Sequence, residues 1–344
     1  MKRFVSFMLA CILALSVFAG CSSDTVSAPS TVSPSTEQVS SESVPTEPAS
    51  TEPEPTEPAP TESPEEAEVL KIMILGSSRS VNTFHFLYQA FKDQMPDQEL
   101  VLGIMYYSGC SMSMHTEFIQ TNQNVYRYYL NTNGKWVTTP NCHMDTGLID
   151  QNWDVILLQA GSGDLDNEMN KPCREFITNY VNSRIEHPHV FWWHSTWFNS
   201  TTPSLFDPSK TKLDPNAINQ YKQLQDGIDA AKAYVMDDPM FAGRITSGTP
   251  MMYALKKLNI PETDLYRDHT HLSDYGCLLV AYAWYAQFTG NPVTEINIDV
   301  IDTKYRQSQY QNLGPMAVTE EMKAAIIETA NYTLENPWTN PGQE

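Results

Sequence analysis

VLKIMILGSS, residues 69–78, is an apolar run that ends in a glycine and two serines. A short apolar run closed by a turn signal predicts a buried strand. Apolar residues then recur at helical spacing, at Phe84, Leu87, Tyr88, Phe91 and Met95. Ser78 is therefore expected where a strand turns into a helix.

The same alternation of apolar strand and amphipathic helix continues along the chain. Further strands are predicted at 99–106, 153–158, 190–193 and near 244–246, and helices at about 250–258 and 274–288. This order predicts a three-layer α/β/α fold with a mostly parallel, five-stranded sheet, as in flavodoxin-like proteins. Ligands bind beyond the carboxyl ends of such strands, where we expect Ser78, Gly109, Gln159 and His194.

An insertion at about 111–148 interrupts the alternation. Residues 125–130 and 135–139 read as strands that flank Asn133-Gly134, a dipeptide typical of two-residue hairpin turns. The insertion is therefore predicted to be a β-hairpin that follows the second strand. It would either form a rim or lid over the site or lie on the surface without a role in binding.

Residues 1–68 differ in composition from the rest of the chain. Residues 1–20 combine a charged start, an apolar run and small residues, which predicts a secretory signal peptide. The Ala-Gly-Cys end of this segment resembles a bacterial lipobox and implies a lipid on Cys21. An ordinary signal peptide or a single membrane anchor remains the alternative. Residues 21–68 are mostly Ser, Thr, Pro and Glu, which predicts a disordered tether. We therefore expect a domain over 69–344, lipid-anchored at the outer face of a bacterial membrane or in the cell wall.

Charge and cysteine spacing restrict the partners of the predicted domain. The chain has 21 basic and 41 acidic residues, of which residues 1–68 hold 2 and 11. Residues 69–344 therefore carry 19 basic and 30 acidic residues, a net charge of −11, which argues against a nucleic-acid partner. No metal-ligand spacing occurs among Cys110, Cys142, Cys173 and Cys277, so no zinc site or other cofactor is predicted, and the pairing of these thiols stays open.

The block DHTHLS, residues 268–273, supplies the chemistry. A serine hydroxyl becomes a nucleophile when a histidine takes its proton and an aspartate orients that histidine. Asp268 and His271 near one end of the domain could act in this way on Ser78 near the other. One alternative is a helix-capping role for Ser78. Another is a metal site that His269 and His271 would form with Asp268, although the two histidines are only two residues apart and no clear third ligand accompanies them.

These motifs resemble the SGNH (GDSL-like) hydrolase superfamily, and within it a bacterial lipoprotein branch. The resemblance covers about 69–290 and rests on Gly76-x-Ser78, a glycine after the second strand, and Asp268-x-x-His271. Shared stretches are YSGCS at 107–111, WDVILLQ at 153–159 and HSTW at 194–197. This chain has Ser77 where the superfamily has Asp or Asn, and Arg79 where the branch has Phe.

The resemblance implies Ser78 as nucleophile, His271 as base and Asp268 as its orienting partner. It also implies oxyanion donors at the backbone N–H groups of Ser78 and Gly109. The asparagine of the third block has no clear counterpart; Gln159 is our substitute, and the turn at 161–164 is the rival.

Three further residues are candidates for substrate contact. Trp197 could stack on a sugar ring, and Arg79 would place a cation near the mouth of the site. His194 would contact substrate or be a satisfied buried histidine.

Together these features predict a surface-tethered serine esterase that removes acetyl or other small acyl groups from carbohydrate. Lipid-ester cleavage and acyl transfer to a sugar hydroxyl remain open. So does a different class of function, in which an inactive domain or a solute-binding lipoprotein binds carbohydrate without cleaving it.

Overall fold

The computed structural model describes residues 69–159, 170–203, 219–301 and 315–342, which all lie in one compact unit. The predicted signal peptide, Cys21 and the tether lie outside the described residues. The strands are β1 (Leu70–Gly76), β2 (Leu100–Tyr106), β3 (Tyr126–Thr132), β4 (Lys135–Cys142), β5 (Val155–Gln159), β6 (Val190–Ser195), β7 (Phe241–Thr246), β8 (Val300–Ile301) and β9 (Met316–Ala317). The helices are α1 (Ser78–Gln94), α2 (Met112–Gln120), α3 (Met144–Leu148), α4 (Lys171–Asn182), α5 (Gln220–Tyr234), α6 (Gly248–Lys256), α7 (Glu262–Leu265), α8 (Asp274–Thr289) and α9 (Glu320–Glu335).

A mostly parallel sheet forms the centre of the molecule, which confirms the predicted fold class. Its strand order is β4-β3-β2-β1-β5-β6-β7. The five predicted strands, β2-β1-β5-β6-β7, pair in parallel in the flavodoxin-like order. The sheet has seven strands because the hairpin pairs with the edge of β2 in antiparallel fashion, and β8 and β9 form a separate antiparallel pair.

The predicted hairpin forms around Asn133 and Gly134, which both have positive φ (52° and 81°), as a type I′ turn requires. Its inner face packs on α1, where the His85 ring lies against Tyr129 at 5.5 Å and Trp136 at 4.6 Å between ring centroids. All three side chains are at least nine-tenths buried. The hairpin therefore extends the sheet and covers α1, and a role as a rim or lid over the site stays a prediction.

Two apolar cores lie on the two faces of the sheet because strand side chains alternate in direction. Along β1, Ile72 and Ile74 face the core that contains α1 and α8, whereas Met73 and Leu75 face the core that contains α4. Helix α8 is buried along most of its length and packs against both α1 and α9. No helix within the described ranges is both long and apolar enough to span a membrane.

The sheet directs the connections after β1, β2 and β5 to one edge. Strand β1 lies between β2, which follows it in sequence, and β5, so the connections from β1 and β5 diverge there. Such a switch point leaves a crevice beyond the carboxyl ends of the strands. Ser78 follows β1 at this crevice.

A close backbone approach inside the second core gives a test of the packing. A Cβ on Gly103 in β2 would lie 2.4 Å from the ring of Trp153, which is fully buried. Gly103→Ala should therefore lower the free energy of unfolding by about 1–3 kcal/mol, measured by urea denaturation. The matched control is Gly227→Ala in α5, where a Cβ meets nothing within 4 Å and should stabilise by about 0.5–1 kcal/mol. Equal stability of Gly103→Ala and wild type would contradict this packing.

Candidate active site

Ser78 is the first residue of α1 and is half-buried. Its Oγ lies 2.9 Å from Nε2 of His271, a residue 193 positions later in the chain. The helix N-cap position belongs to Ser77, which makes no side-chain capping bond. The capping alternative for Ser78 is thus not what the structure contains, and its hydroxyl faces an imidazole instead.

His271 is held on its other side by Asp268. Its Nδ1 lies 2.9 Å from Oδ2 of Asp268. An ionised carboxylate can only accept, so Nδ1 carries a proton, and in the neutral form of the imidazole Nε2 then offers its lone pair to the Ser78 hydroxyl. The three side chains therefore form a hydrogen-bonded series from hydroxyl to imidazole to carboxylate.

The Asp268 carboxylate also organises the backbone around it. Its Oδ1 accepts the N–H groups of Thr270 and His271, each at 2.8 Å, and the Thr270 hydroxyl at 3.0 Å. Burial by itself raises the pKa of Asp268. The hydrogen bond and charge of His271, together with the two backbone N–H groups, outweigh that effect and hold the pKa well below its ordinary value. Asp268 is therefore a carboxylate throughout the neutral range.

A short ladder fixes this turn at the start of α8. Tyr266 and Leu272 form an antiparallel bridge, and Arg267 N–H donates to His271 O at 3.1 Å. Ser273 then caps α8 by accepting the N–H of Gly276 at 3.1 Å. The turn that carries His271 is thus fixed on one side by the Tyr266–Leu272 bridge and on the other by the cap of α8, and this orients the imidazole.

Gln159 does not have the role predicted for it. The side chain is 1 % exposed; its Oε1 accepts the Ser77 N–H at 2.9 Å and its Nε2 donates to Ser77 Oγ at 2.8 Å. The amide is therefore used to hold the turn before Ser78 and is not directed at an oxyanion. A Cβ on Gly76 would lie 2.8 Å from this Oε1, so the position needs a glycine. The rival donor turn at 161–164 lies outside the described residues.

Ser78 and Gly109 carry the two backbone N–H groups that are predicted to be oxyanion donors. The N–H of Ser78 is at the first position of α1, where no carbonyl of the same helix can accept it. Gly109 is exposed, has φ +64° and lies three residues beyond Tyr106, the residue that pairs with Gly76. Both groups therefore lie at the same edge of the sheet, although the sequence reading alone assigns their role.

Trp197, Arg79 and His194 are all buried. The structure therefore contradicts the substrate contacts expected of Trp197 and Arg79, and of the two alternatives for His194 it contains the buried histidine. Trp197 is 2 % exposed and its Nε1 donates to Thr270 O at 3.0 Å. His194 is fully buried against Trp284, and burial, followed by the charge of Arg79, lowers the pKa of His194 to about 3. Arg79 is 3 % exposed, and its guanidinium donates inside the protein and not at a mouth.

Sequence reasoning missed two residues that support the site. The hydroxyl of Thr270 contacts both Asp268 Oδ1 and His271 Nδ1 at 3.0 Å. The second is Ser77, whose Oγ accepts a hydrogen bond from Nε2 of Gln159. The Asp-x-Thr spacing was a usable signal for the first, because an aspartate commonly binds the backbone two residues ahead. No group of three metal-ligating side chains occurs in the part of the chain that the structure describes.

The cysteines take no part in this arrangement. Cys110 and Cys142 are buried free thiols, Cys173 is a half-buried one, and Cys277 is buried in α8. Burial raises the pKa of the Cys110 thiol above its ordinary value, which keeps it protonated and unreactive.

Comparison with known proteins assigns the chain to a family. The family described as "Domain of unknown function (DUF4886)" matches residues 71–312. This chain belongs to the DUF4886 family. A crystal structure of a DUF4886 family protein from Bacteroides uniformis ATCC 8492 has a TM-score of 0.62 and 22% identity, over 80% of this chain and 98% of that one.

The remaining comparisons add little to the DUF4886 assignment. The Bacteroides uniformis structure supports the fold alone at that identity. LAE5, an alpha/beta hydrolase enzyme from the metagenome of Lake Arreo, Spain, has a TM-score of 0.37 and 11% identity, over 64% of this chain and 97% of that one. A search of the curated proteins finds no match.

The lowered pKa of Asp268 predicts how stability depends on pH. A carboxyl group with a depressed folded-state pKa stabilises the fold above its unfolded pKa, about 3.9, and loses that contribution as the pH falls below it. Asp268→Asn should therefore show a smaller fall in the free energy of unfolding between about pH 6 and pH 3 than wild type. Asp97→Asn, at an exposed position, controls for the lost charge. An unchanged pH dependence in Asp268→Asn would contradict the depressed pKa.

Proposed function

We propose that this DUF4886 protein is a serine hydrolase of the SGNH type that cleaves carboxylic esters. One observation carries the proposal: a single imidazole contacts the Ser78 hydroxyl through Nε2 and the Asp268 carboxylate through Nδ1, both at 2.9 Å. A helix-capping serine or a satisfied buried histidine needs only one of these contacts. Both together are the requirement for activating a hydroxyl as a nucleophile.

The geometry supports the following chemistry. His271 Nε2 takes the proton of Ser78 as the serine oxygen bonds to the ester carbonyl carbon. Asp268 stabilises the imidazolium that forms, and the backbone N–H groups of Ser78 and Gly109 are the proposed donors to the oxyanion. The imidazolium then gives its proton to the departing alcohol, which leaves an acyl-serine. Water repeats the sequence with His271 as base and releases the acid.

We propose a small acyl group, such as acetyl, on a carbohydrate as the substrate. The large apolar side chains that are exposed among the described residues lie on separate elements, and an acyl chain of a lipid would need a contiguous apolar surface. They are Val137, Ile149, Val190, Tyr234 and Val300. The carbohydrate part of the proposal rests on the acidic charge and the predicted tether, since Trp197 is not available for stacking.

The proposed place of action is the outer face of a bacterial membrane or the cell wall. It rests on the sequence of residues 1–68, with Cys21 as the lipid site and 21–68 as the tether. A tether of this composition would let the domain reach a polymer at a distance from the membrane.

Removal of the Ser78 hydroxyl tests the proposed reaction. Ser78→Ala should lower kcat for p-nitrophenyl acetate by about 10⁴-fold or more, because the substitution removes the proposed nucleophile. A fluorophosphonate should add to Ser78 in wild type, detected by mass spectrometry of the peptide. Ser80→Ala is the matched control, since its buried hydroxyl in the same turn donates to Ser77 O, at 3.0 Å, and does not face His271.

Two results would contradict the reaction. Full activity in Ser78→Ala would remove the proposed nucleophile. A wild type that is inert toward esters but binds sugars by calorimetry would favour the carbohydrate-binding alternative.

Acyl-chain length tests the proposed substrate class. The value of kcat/KM should fall by about tenfold or more from p-nitrophenyl acetate to the octanoate, because the exposed large apolar side chains of the described residues lie on separate elements and would not hold the longer chain together. A peracetylated monosaccharide should release acetate in a Ser78-dependent manner. A preference for octanoate would instead indicate lipid esters.

A further inference from the structure

Arg79 follows Ser78 directly, yet its side chain leaves the site and enters the core. Its guanidinium donates to Trp197 O and to Asn199 Oδ1, and its Cζ lies 5.8 Å from the centre of the Trp197 ring. The first turn of α1, which carries Ser78, is thereby bonded to the loop Trp197–Ser200. That loop joins β6 to the segment before α5.

The same loop is bonded to the turn that carries His271. Trp197 Nε1 donates to Thr270 O at 3.0 Å, and Ser200 N–H donates to His269 O at 2.8 Å. Two further bonds anchor the loop: Tyr266 Oη donates to Phe198 O at 3.1 Å, and Asn199 N–H donates to Gln223 Oε1 at 2.9 Å. The loop Trp197–Ser200 is therefore a strap between the two segments of the site.

Burying a guanidinium costs free energy unless hydrogen bonds and opposite charges compensate the lost hydration. Burial lowers the pKa of Arg79 to about 10, while Tyr266 and Asp268 act in the opposite direction. Arg79 is still a cation at neutral pH, and its fork of donors fits two acceptors on one loop. The hydrogen bonds to Trp197 O and Asn199 Oδ1, together with the charge of Asp268, compensate part of the cost of burying the guanidinium.

We propose that Arg79 is a positioning residue that sets the distance between the Ser78 hydroxyl and His271 Nε2 by holding the strap. The proposal rests on the proposed esterase function. It replaces the substrate contact expected from the sequence, because a side chain 3 % exposed and committed to the strap does not reach a ligand. The strap then transmits its position to the turn through Thr270 O and His269 O.

Steady-state kinetics on p-nitrophenyl acetate tests this role. Arg79→Met should lower kcat by about 10²-fold, since a displacement of about 1 Å in a catalytic contact costs that much, and it should leave KM unchanged. Arg79→Lys should recover part of kcat, because an ammonium retains the charge and can donate to one of the two acceptors but lacks the planar fork that reaches both. Trp197→Phe, which removes the donor to Thr270 O, should also lower kcat. In the double variant Arg79→Met/Trp197→Phe the two losses should not multiply, because both act through one strap.

Arg174 provides the matched control. It is another buried arginine, 1 % exposed, with its Cζ 5.6 Å from the centre of the Trp193 ring and a donor to Tyr234 O at 3.0 Å. Arg174→Met should lose thermal stability to a similar extent as Arg79→Met and keep its kcat. A wild-type kcat in folded Arg79→Met, an equal fall of kcat in Arg174→Met, a raised KM, or losses that multiply would each overturn the proposal.

The outcomes separate this proposal from the esterase function beneath it. Failure of the proposed function appears as activity that persists in Ser78→Ala. Failure of the strap appears as normal turnover in the Arg79 variants while Ser78→Ala is inactive. If Arg79→Met does not fold, Arg79→Lys and Trp197→Phe carry the same test, since the first keeps a cation in the buried position and the second leaves the Arg79 guanidinium in place.

Discussion

The Asp268 carboxylate is the group on which the rest of the site depends. One oxygen accepts hydrogen bonds from two backbone N–H groups and fixes the turn, and the carboxylate also accepts a hydrogen bond from Nδ1 of His271. The same charge therefore determines the shape of the loop and the tautomer of the imidazole. A neutral residue here would loosen the turn and leave Nε2 without its defined role as acceptor, so structure and chemistry cannot be separated at this position.

The sheet explains why residues so far apart in sequence meet. Parallel strands all end at one edge, and β1 lies at the switch point where the crevice opens. Ser78 arrives from β1, whereas His271 arrives from a connection that packs beside α1 at the start of α8. Because α1 and α8 are buried against one another, the contact between the two side chains rests on the core and not on a flexible loop.

Much of the fold could be predicted because apolar runs and helical spacing report burial directly. The five parallel strands and the Asn133-Gly134 turn follow from such patterns, and the structure contains them. What the patterns do not contain is pairing between distant segments. Nothing in the hairpin sequence states that β3 joins β2, or that Tyr129 and Trp136 cover α1, because those contacts depend on the edge left open by another strand.

In the candidate site, too, local patterns predict which residues follow the strands but not what their side chains contact. Gln159 and His194 still lie inside β5 and β6, where they are paired with one another in register and covered by helices. Their side chains therefore turn into the core, and their polar atoms serve Ser77 and Ser247. Ser78 lies two residues beyond the last residue of β1, past the covered part of the sheet. Position beyond a strand end is not sufficient, because Trp197 lies two residues beyond β6 and Arg79 three beyond β1, yet both are buried. Which side chains stay accessible depends on the helices and loops that cover them, and local sequence patterns do not contain that information.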